Sequence, residues 1–223
     1  IRYRLVGSEM CIRDRLYLRV LMDLFFSELG SSFSEKELQE RYDVNRGEMQ
    51  AVLRLLENDG IFRRSPGYKW QLDGVLNTLE RHTESYRCRL IFEPAGLLEP
   101  TWALDNTVME SCRDNHVQAI ATPESVTASQ LFALSAEFHE QLAACSGNRF
   151  LLATMQQHNR LRKATDLVSM HIQSSVTKSC QRRLAIIELV LKGDNQTAST
   201  QLAELLENDI RVMKRTYNAV SYT

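Results

Sequence analysis

His139 has the setting of a side chain that could bind a ligand. It lies in an apolar segment, residues 136–150, whose composition predicts a helix with the histidine on its inner face and an end at Ser146-Gly147-Asn148. An imidazole in this position can ligate a metal, but one histidine does not hold zinc without further ligands. A hydrogen-bonded core histidine is the alternative, and the choice between the two interpretations depends on the elements around the segment.

The sequence lacks the motifs of the common enzyme classes. It contains no G-x-S-x-G, no glycine-rich phosphate loop, no H-E-x-x-H and no dinucleotide fingerprint, so we expect a protein that is not an enzyme. The five cysteines form no C-x-x-C pair, which disfavours structural zinc and a disulfide framework and favours a cytoplasmic protein. No apolar run approaches the roughly 20 residues of a membrane span.

Residues 1–15 are expected to be a non-native leader. The run Val6-Gly7-Ser8-Glu9-Met10-Cys11-Ile12-Arg13-Asp14-Arg15 resembles translated sequencing-adaptor sequence. The alternative is a genuine basic N-terminal arm.

Residues 16–72 predict three helices followed by a β-hairpin. The first helix covers residues 16–29, a Ser34–Glu37 capping box starts the second, and the third covers residues 46–58. Two short strands then flank Ser65-Pro66-Gly67. This order is typical of a winged helix-turn-helix, in which the third helix enters the major groove of DNA.

The outward face of the third helix and the hairpin carry the candidate DNA-binding residues: Arg46, Gly47, Gln50, Arg54, Arg63, Arg64 and Lys69. Arg46 can bond guanine and Gln50 can pair with adenine. Residues 16–72 contain eight Lys and Arg against nine Asp and Glu, a net of −1. Because phosphate attraction dominates DNA affinity, a winged helix turned protein-interaction module is the alternative.

The third helix resembles the recognition helix of the GntR family of bacterial repressors. That family opens the helix with Ser-Arg-x-Pro-x-Arg, and here the letters are Asn45-Arg46-Gly47-Glu48-Met49-Gln50. Arg46 matches, Glu48 replaces the proline and Gln50 replaces the second arginine. A glutamate facing DNA would repel phosphate. The resemblance implies a homodimer on the paired half-sites of a double-stranded operator.

Beyond a helix-compatible linker at residues 73–85, residues 86–223 predict an all-helical bundle. Helices are expected at about residues 89–98, 106–115, 131–145, 149–169, 179–191 and from 194 or 195 to 210, with a further helix start at Thr122-Pro123. The fold class is therefore mainly α, a winged helix-turn-helix followed by a helical bundle.

The bundle resembles the FCD domain of the FadR branch of that family over residues 86–210. The shared signposts are Arg89-x-x-Phe92-Glu93-Pro94, Phe138-His139, Ser146-Gly147-Asn148 and Gly193-Asp194 with Ala198. The family's pocket holds a divalent metal on one Asp and three His. The matching positions here are Ser135, His139, Arg183 and Leu205, so three of the four ligands are missing. We expect no metal or other cofactor, although His158, His171 and Asp166 are possible substitutes.

The same resemblance implies a small organic acid as effector. Without a metal, Arg89, His139, Arg160 and Arg183 would bind such an anionic metabolite directly, because arginine forms bidentate bonds with carboxylates. The alternative is a vestigial pocket with Arg183 turned to solvent and His139 in the core. The sequence thus predicts a ligand-responsive, DNA-binding transcriptional repressor. A non-DNA-binding interaction protein and a helical-bundle metalloenzyme are the alternatives.

Overall fold

The computed structural model describes residues 12–25, 29–30, 32–72, 78–173 and 175–221. The chain divides into two compact units, residues 1–75 and residues 76–223. The expected fold class is confirmed, since the first unit has the elements of a winged helix-turn-helix and the second is helical.

The first unit contains three helices and a small antiparallel sheet. Its elements are α1 (Ile12–Phe25), β1 (Ser32–Ser34), α2 (Glu35–Tyr42), α3 (Arg46–Asn58), β2 (Phe62–Ser65) and β3 (Lys69–Leu72). β3 lies in the centre of the sheet, between β1 and β2. β1 was not expected from the sequence, because a strand of three residues forms only through its pairing with β3, where Phe33 lies opposite Trp70.

The helix boundaries of this unit follow its capping residues. Ser34 accepts a hydrogen bond from the Glu37 amide at 3.2 Å and donates its own amide to Glu37 Oε2 at 2.6 Å, so the predicted capping box is confirmed. The first helix differs from the prediction. It already begins at Ile12, because residues 12–15 contain no helix breaker, so residues 12–15 of the expected leader are continuous with this helix. Residues 1–11 lie outside the described part of the chain.

The second unit is built from six helices: α4 (Leu79–Gly96), α5 (Asn106–Ala121), α6 (Ala128–Cys145), α7 (Arg149–Gln173), α8 (Val176–Leu191) and α9 (Asn195–Ser221). α6 packs against α7, α5 against α8, and α4 against α9. The core between them is apolar and includes Met109, Phe138, Ile187 and Leu202. None of the helices in the described residues is long and apolar enough to span a membrane.

Two boundaries in this unit correct the sequence analysis. α4 begins at Leu79, where Thr78 caps it by accepting a bond from the Arg81 amide, so residues 79–85 belong to a helix and not to the linker. Thr122-Pro123 opens only a short 3-10 turn, Pro123–Ser125. α6 starts after it, capped by Thr127 with Gln130, because this pair satisfies the free amides of the first turn and Thr122 makes no such bond.

The turn between α6 and α7 fixes the direction of both helices. Ser146 Oγ donates to the Ala143 carbonyl at 2.5 Å, and Asn148 Oδ1 accepts from the Phe150 amide at 3.1 Å. Gly147 between them has φ of 71°, and a Cβ at this position would lie 2.6 Å from the Thr101 carbonyl oxygen. The turn therefore requires glycine both for its backbone conformation and for its close packing.

Candidate functional site

The candidate DNA-binding residues of the first unit lie on its surface. Arg46, Gly47, Arg54, Arg63, Arg64 and Lys69 are exposed and Gln50 is half-buried. On the hairpin, the Arg64 guanidinium stacks over the Trp70 ring at 5.0 Å from its centre, and its Nε lies 3.6 Å from Glu57 Oε1. The structure thus presents cationic side chains from both α3 and the hairpin to solvent.

The Glu35 carboxylate contacts both residues that are expected to contact DNA bases, Arg46 and Gln50. Gln50 Nε2 donates to Glu35 Oε1 at 3.1 Å and to Oε2 at 3.3 Å, and Arg46 Nε lies 3.3 Å from the same Oε1. Glu35 begins α2, where a negative charge is favourable. Glu35 was not predicted from the sequence, because its only signal there is a glutamate at a helix start. Its contacts with α3 arise from tertiary packing.

Glu48 is not aimed outward as a free charge. Its Oε2 accepts from the Asn45 amide at 3.1 Å, while its own amide donates to Asn45 Oδ1 at 3.0 Å. These two bonds form a capping box at the start of α3. The glutamate that replaces the family's proline is therefore used to start the helix.

The second unit contains a cluster of buried charged and polar side chains. Its three arginines, Arg89, Arg162 and Arg183, have exposed fractions of 0%, 2% and 4%. Glu93 and Asp166 are buried with them, as are Ser135 and His139. We call these seven residues the arginine cluster. They come from α4, α6, α7 and α8, so the cluster forms only when the bundle is assembled.

On one side of the cluster, Glu93 joins Arg89 to His139. Arg89 Nε donates to Glu93 Oε1, and the Glu93 Oε2 atom lies 2.6 Å from His139 Nδ1. Burial by itself raises the pKa of Glu93, but its interactions with Arg89 and His139 together outweigh burial and lower the pKa to about 2. The ionised carboxylate accepts from both neighbours, so Nδ1 of His139 carries the proton.

His139 itself is neutral in the core. Burial lowers its pKa to about 3, even though Glu93 opposes the shift. With the proton on Nδ1, the Nε2 atom is a hydrogen-bond acceptor, and it is buried without a hydrogen-bond partner. His139, Glu93, Gly96 and Leu142 are among the residues around a cavity of about 10 Å³, roughly the space of one water molecule.

On the other side of the cluster, Ser135 joins two arginines. Arg183 Nη2 donates to Ser135 Oγ at 3.0 Å, and Arg162 Nη2 approaches the same oxygen at 3.5 Å. Arg162 also bonds Asp166 and donates to Asn159 Oδ1 at 2.7 Å. The remaining bonds of Arg183 go to Ser179, its carbonyl at 3.0 Å and its Oγ at 2.5 Å.

Several polar atoms in the interior of the arginine cluster have no hydrogen-bond partner. These are Nη1 and Nη2 of Arg89, Nε of Arg183, Oδ1 of Asp166 and Nε2 of His139. A buried polar atom without a partner costs about 1–3 kcal/mol. Their concentration in one place fits a polar ligand better than a core evolved for stability alone.

The structure brings three of the four expected effector residues into the cluster. Arg160 is exposed on α7, whereas Arg162, two residues further on, is buried in the cluster. Arg89, His139 and Arg183 are buried there as expected. The alternative with Arg183 turned to solvent is excluded by its 4% exposure.

The four positions that match the family's metal ligands do not fit a cation. Ser135 and Arg183 bond each other, and Leu205 lies in the apolar core. Of the possible substitutes, His158 Nδ1 pairs with Ser85 Oγ at 2.7 Å and Asp166 pairs with Arg162. The His171 side chain lies outside the described part. Among the described residues, no three His, Cys, Asp or Glu are grouped for metal binding.

Comparison with solved structures gives the same two-unit fold. A structure described as "Lar controls the expression of the Listeria monocytogenes agr system and mediates virulence" has 14% identity, covers 94% of this chain and 99% of its own, and has a TM-score of 0.64. E. coli McbR/YncC has 13% identity, covers 94% and 100%, and has a TM-score of 0.61. A transcriptional regulator (GntR family member) from Pseudomonas syringae pv. tomato has 16% identity, covers 98% and 92%, and has a TM-score of 0.53.

The sequence comparison identifies the second unit. No curated protein sequence matches the chain. The FCD domain family, however, matches residues 77–208, which is more than half of the chain and covers every residue of the arginine cluster. The chain therefore belongs to the FCD domain family and has the fold of GntR-type transcriptional regulators.

Proposed function

We propose that this protein is a ligand-responsive transcriptional repressor of the FadR branch of the GntR family. It binds a double-stranded operator as a homodimer, acts in the cytoplasm and catalyses no reaction. A small anionic metabolite bound in the second unit changes the affinity for DNA, which is a coupling between two sites.

The observation that carries the proposal is the combination of a basic winged-helix surface with a buried arginine cluster. The cationic residues of the first unit are concentrated on α3 and the hairpin, which are the elements that such domains place on DNA. Six of the seven candidate residues are exposed. Placement of charge is a better guide to DNA binding than the net charge of the unit.

DNA binding is tested by fluorescence anisotropy with the DNA that flanks the protein's own gene. We expect binding that weakens steeply with salt, because each neutralised phosphate releases counterions. Arg54→Ala and Arg63→Ala should each lower the slope of log K against log salt by about 1, and Arg46→Ala should cost about 1–3 kcal/mol on the preferred site. Arg182→Ala removes an exposed arginine of α8 and is the matched control.

The result decides between two functions. If the wild-type chain does not bind this DNA or random DNA at low salt, the repressor proposal fails. The net charge of −1 over residues 16–72 and the contact of Glu35 with Arg46 and Gln50 would then favour a protein-interaction module on the same fold.

A further inference from the structure

Among the described residues, Arg183 is a buried cation without an ion-pair partner. All its hydrogen bonds go to the neutral oxygens of Ser135 and Ser179, and among the described residues no carboxylate forms an ion pair with it. Burial lowers its pKa, and Asp209 opposes the shift only through space. A buried charge is normally paired or bound to a counter-ion, and among the described residues Arg183 has neither, since Asp209 acts on it only at a distance.

Arg162 is a second buried cation at the same serine. Its guanidinium reaches the same Ser135 oxygen, although Asp166 already neutralises it. Ser135 accepts from both arginines, so neither bond uses its own O–H proton. Together with the unbonded Nε–H of Arg183, the three side chains offer hydrogen-bond donors and a positive charge at one point between α6, α7 and α8.

We propose that Ser135, Arg162 and Arg183 form the anion-binding end of the effector site. The group they bind is a carboxylate or a phosphate, because either can accept from two or three N–H and O–H donors at once. This inference rests on the effector role proposed above. It assigns Arg162 to the site and removes Arg160 from it.

Arg89 has a different role in the same cluster. Its charge is matched by Glu93, so it does not need an external anion. The Glu93 carboxylate instead fixes the His139 tautomer with Nε2 as acceptor. The Arg89–Glu93–His139 side of the site therefore offers the acceptor of His139 and the two unbonded donors of Arg89 to an uncharged, polar part of a ligand, and the Arg162–Arg183 side binds its charged group.

Because Ser135 is uncharged, the anion-binding end keeps the positive charge of Arg183. A carboxylate in its place would lie between two guanidinium groups and would neutralise Arg183 from within. Ser135→Asp should therefore supply the missing anion as part of the chain. We expect it to raise the melting temperature in chloride and to abolish stabilisation by an added anion.

The test is thermal unfolding of the full chain with sodium phosphate or sodium acetate as probe, against sodium chloride at the same ionic strength. Wild type should melt at a higher temperature in one of the two probes, and the probe that works distinguishes phosphate from carboxylate. Arg183→Gln should weaken the apparent affinity roughly tenfold or more, the loss of one charge-assisted bond, and Ser135→Asp should show no stabilisation by either probe. Arg160→Ala, on the same helix as Arg162 but exposed, should respond like wild type.

Two results overturn the inference: no stabilisation of wild type by either probe, or equal stabilisation of wild type, Arg183→Gln and Ser135→Asp. If Ser135→Asp does not fold, the comparison uses Arg183→Gln and Arg183→Lys, and equal stabilisation of these variants and wild type overturns the inference. Since lysine keeps the charge but not the bidentate geometry, Arg183→Lys should bind more weakly than wild type. Because the unfolding experiment contains no DNA, its result does not depend on operator binding. If the anion stabilises the protein as expected but the protein binds no operator, the repressor proposal fails and the anion site is still supported.

Discussion

Lowering the pH from about 7.5 to about 5.5 should destabilise the second unit by about 4 kcal/mol. Three buried histidines are responsible. Burial lowers the pKa of His82 to about 4, of His116 to about 4 and of His139 to about 3. Each stays neutral in the folded protein, while in the unfolded chain each takes up a proton near its ordinary pKa of 6.5.

The sign follows from this depression of the folded pKa. The stability that each histidine contributes is complete above pH 6.5 and is lost as the pH falls towards the folded value, because only the unfolded chain binds the proton. A difference of one bound proton changes the free energy of unfolding by about 1.4 kcal/mol per pH unit. Since pH 5.5 is one unit below 6.5, the three histidines together lower the free energy of unfolding by about 4 kcal/mol. This is a large part of the 5–15 kcal/mol that is typical of a domain. Glu93, with a pKa of about 2, adds a loss only in stronger acid.

The assay is urea unfolding of the full chain, with the second unit followed on its own. Trp70 and Trp102 are the two tryptophans of the chain, and Trp102 packs against the core of the second unit. In a Trp70→Phe background, Trp102 fluorescence therefore reports this unit alone. The free energy of unfolding is measured at both pH values.

His116→Asn provides the internal control. His116 Nδ1 donates to the Cys112 carbonyl at 2.8 Å, and an asparagine amide can make this bond without titrating. The variant should lose about one third of the pH effect. A change of less than about 1 kcal/mol in the parent between the two pH values, or an unchanged pH effect in His116→Asn, would refute the reasoning that these histidines are buried and neutral.

Two further predictions concern the α6–α7 turn and the DNA-binding surface. Gly147→Ala should lower the free energy of chemical unfolding by at least about 3 kcal/mol, because backbone strain adds to the clash with Thr101. Gly193 has a φ of 78° but open space around it, so Gly193→Ala should lower this free energy by only about 1 kcal/mol. Equal losses in the two variants would contradict this account. Glu35→Gln removes a negative charge beside Arg46 and Gln50, so binding to random DNA should tighten several-fold at low salt while the preference for the operator falls. Unchanged binding to both DNAs would show that Glu35 neither restrains nor orients the two residues.

The sequence by itself determined several of the local elements of this protein. The start of α2 and the bounds of α3 are as predicted, and both helices start at capping boxes that join residues only three positions apart. The Ser146-Gly147-Asn148 turn also ends α6 as expected, since its hydrogen bonds are local and its backbone angle favours glycine, whereas the close packing of Gly147 against Thr101 is tertiary.

The tertiary structure decided which of these local elements meet and which side chains they bury. β1 forms only by pairing with β3, and Glu35 reaches Arg46 and Gln50 only because α2 packs on α3. Arg160 and Arg162 show most clearly what the sequence alone does not determine. Two residues along a helix are about 200° apart around its axis, so one of the two faces the core and the other faces solvent. The rotation of α7 against α6 and α4 makes that choice, and no pattern of charges along α7 fixes this rotation.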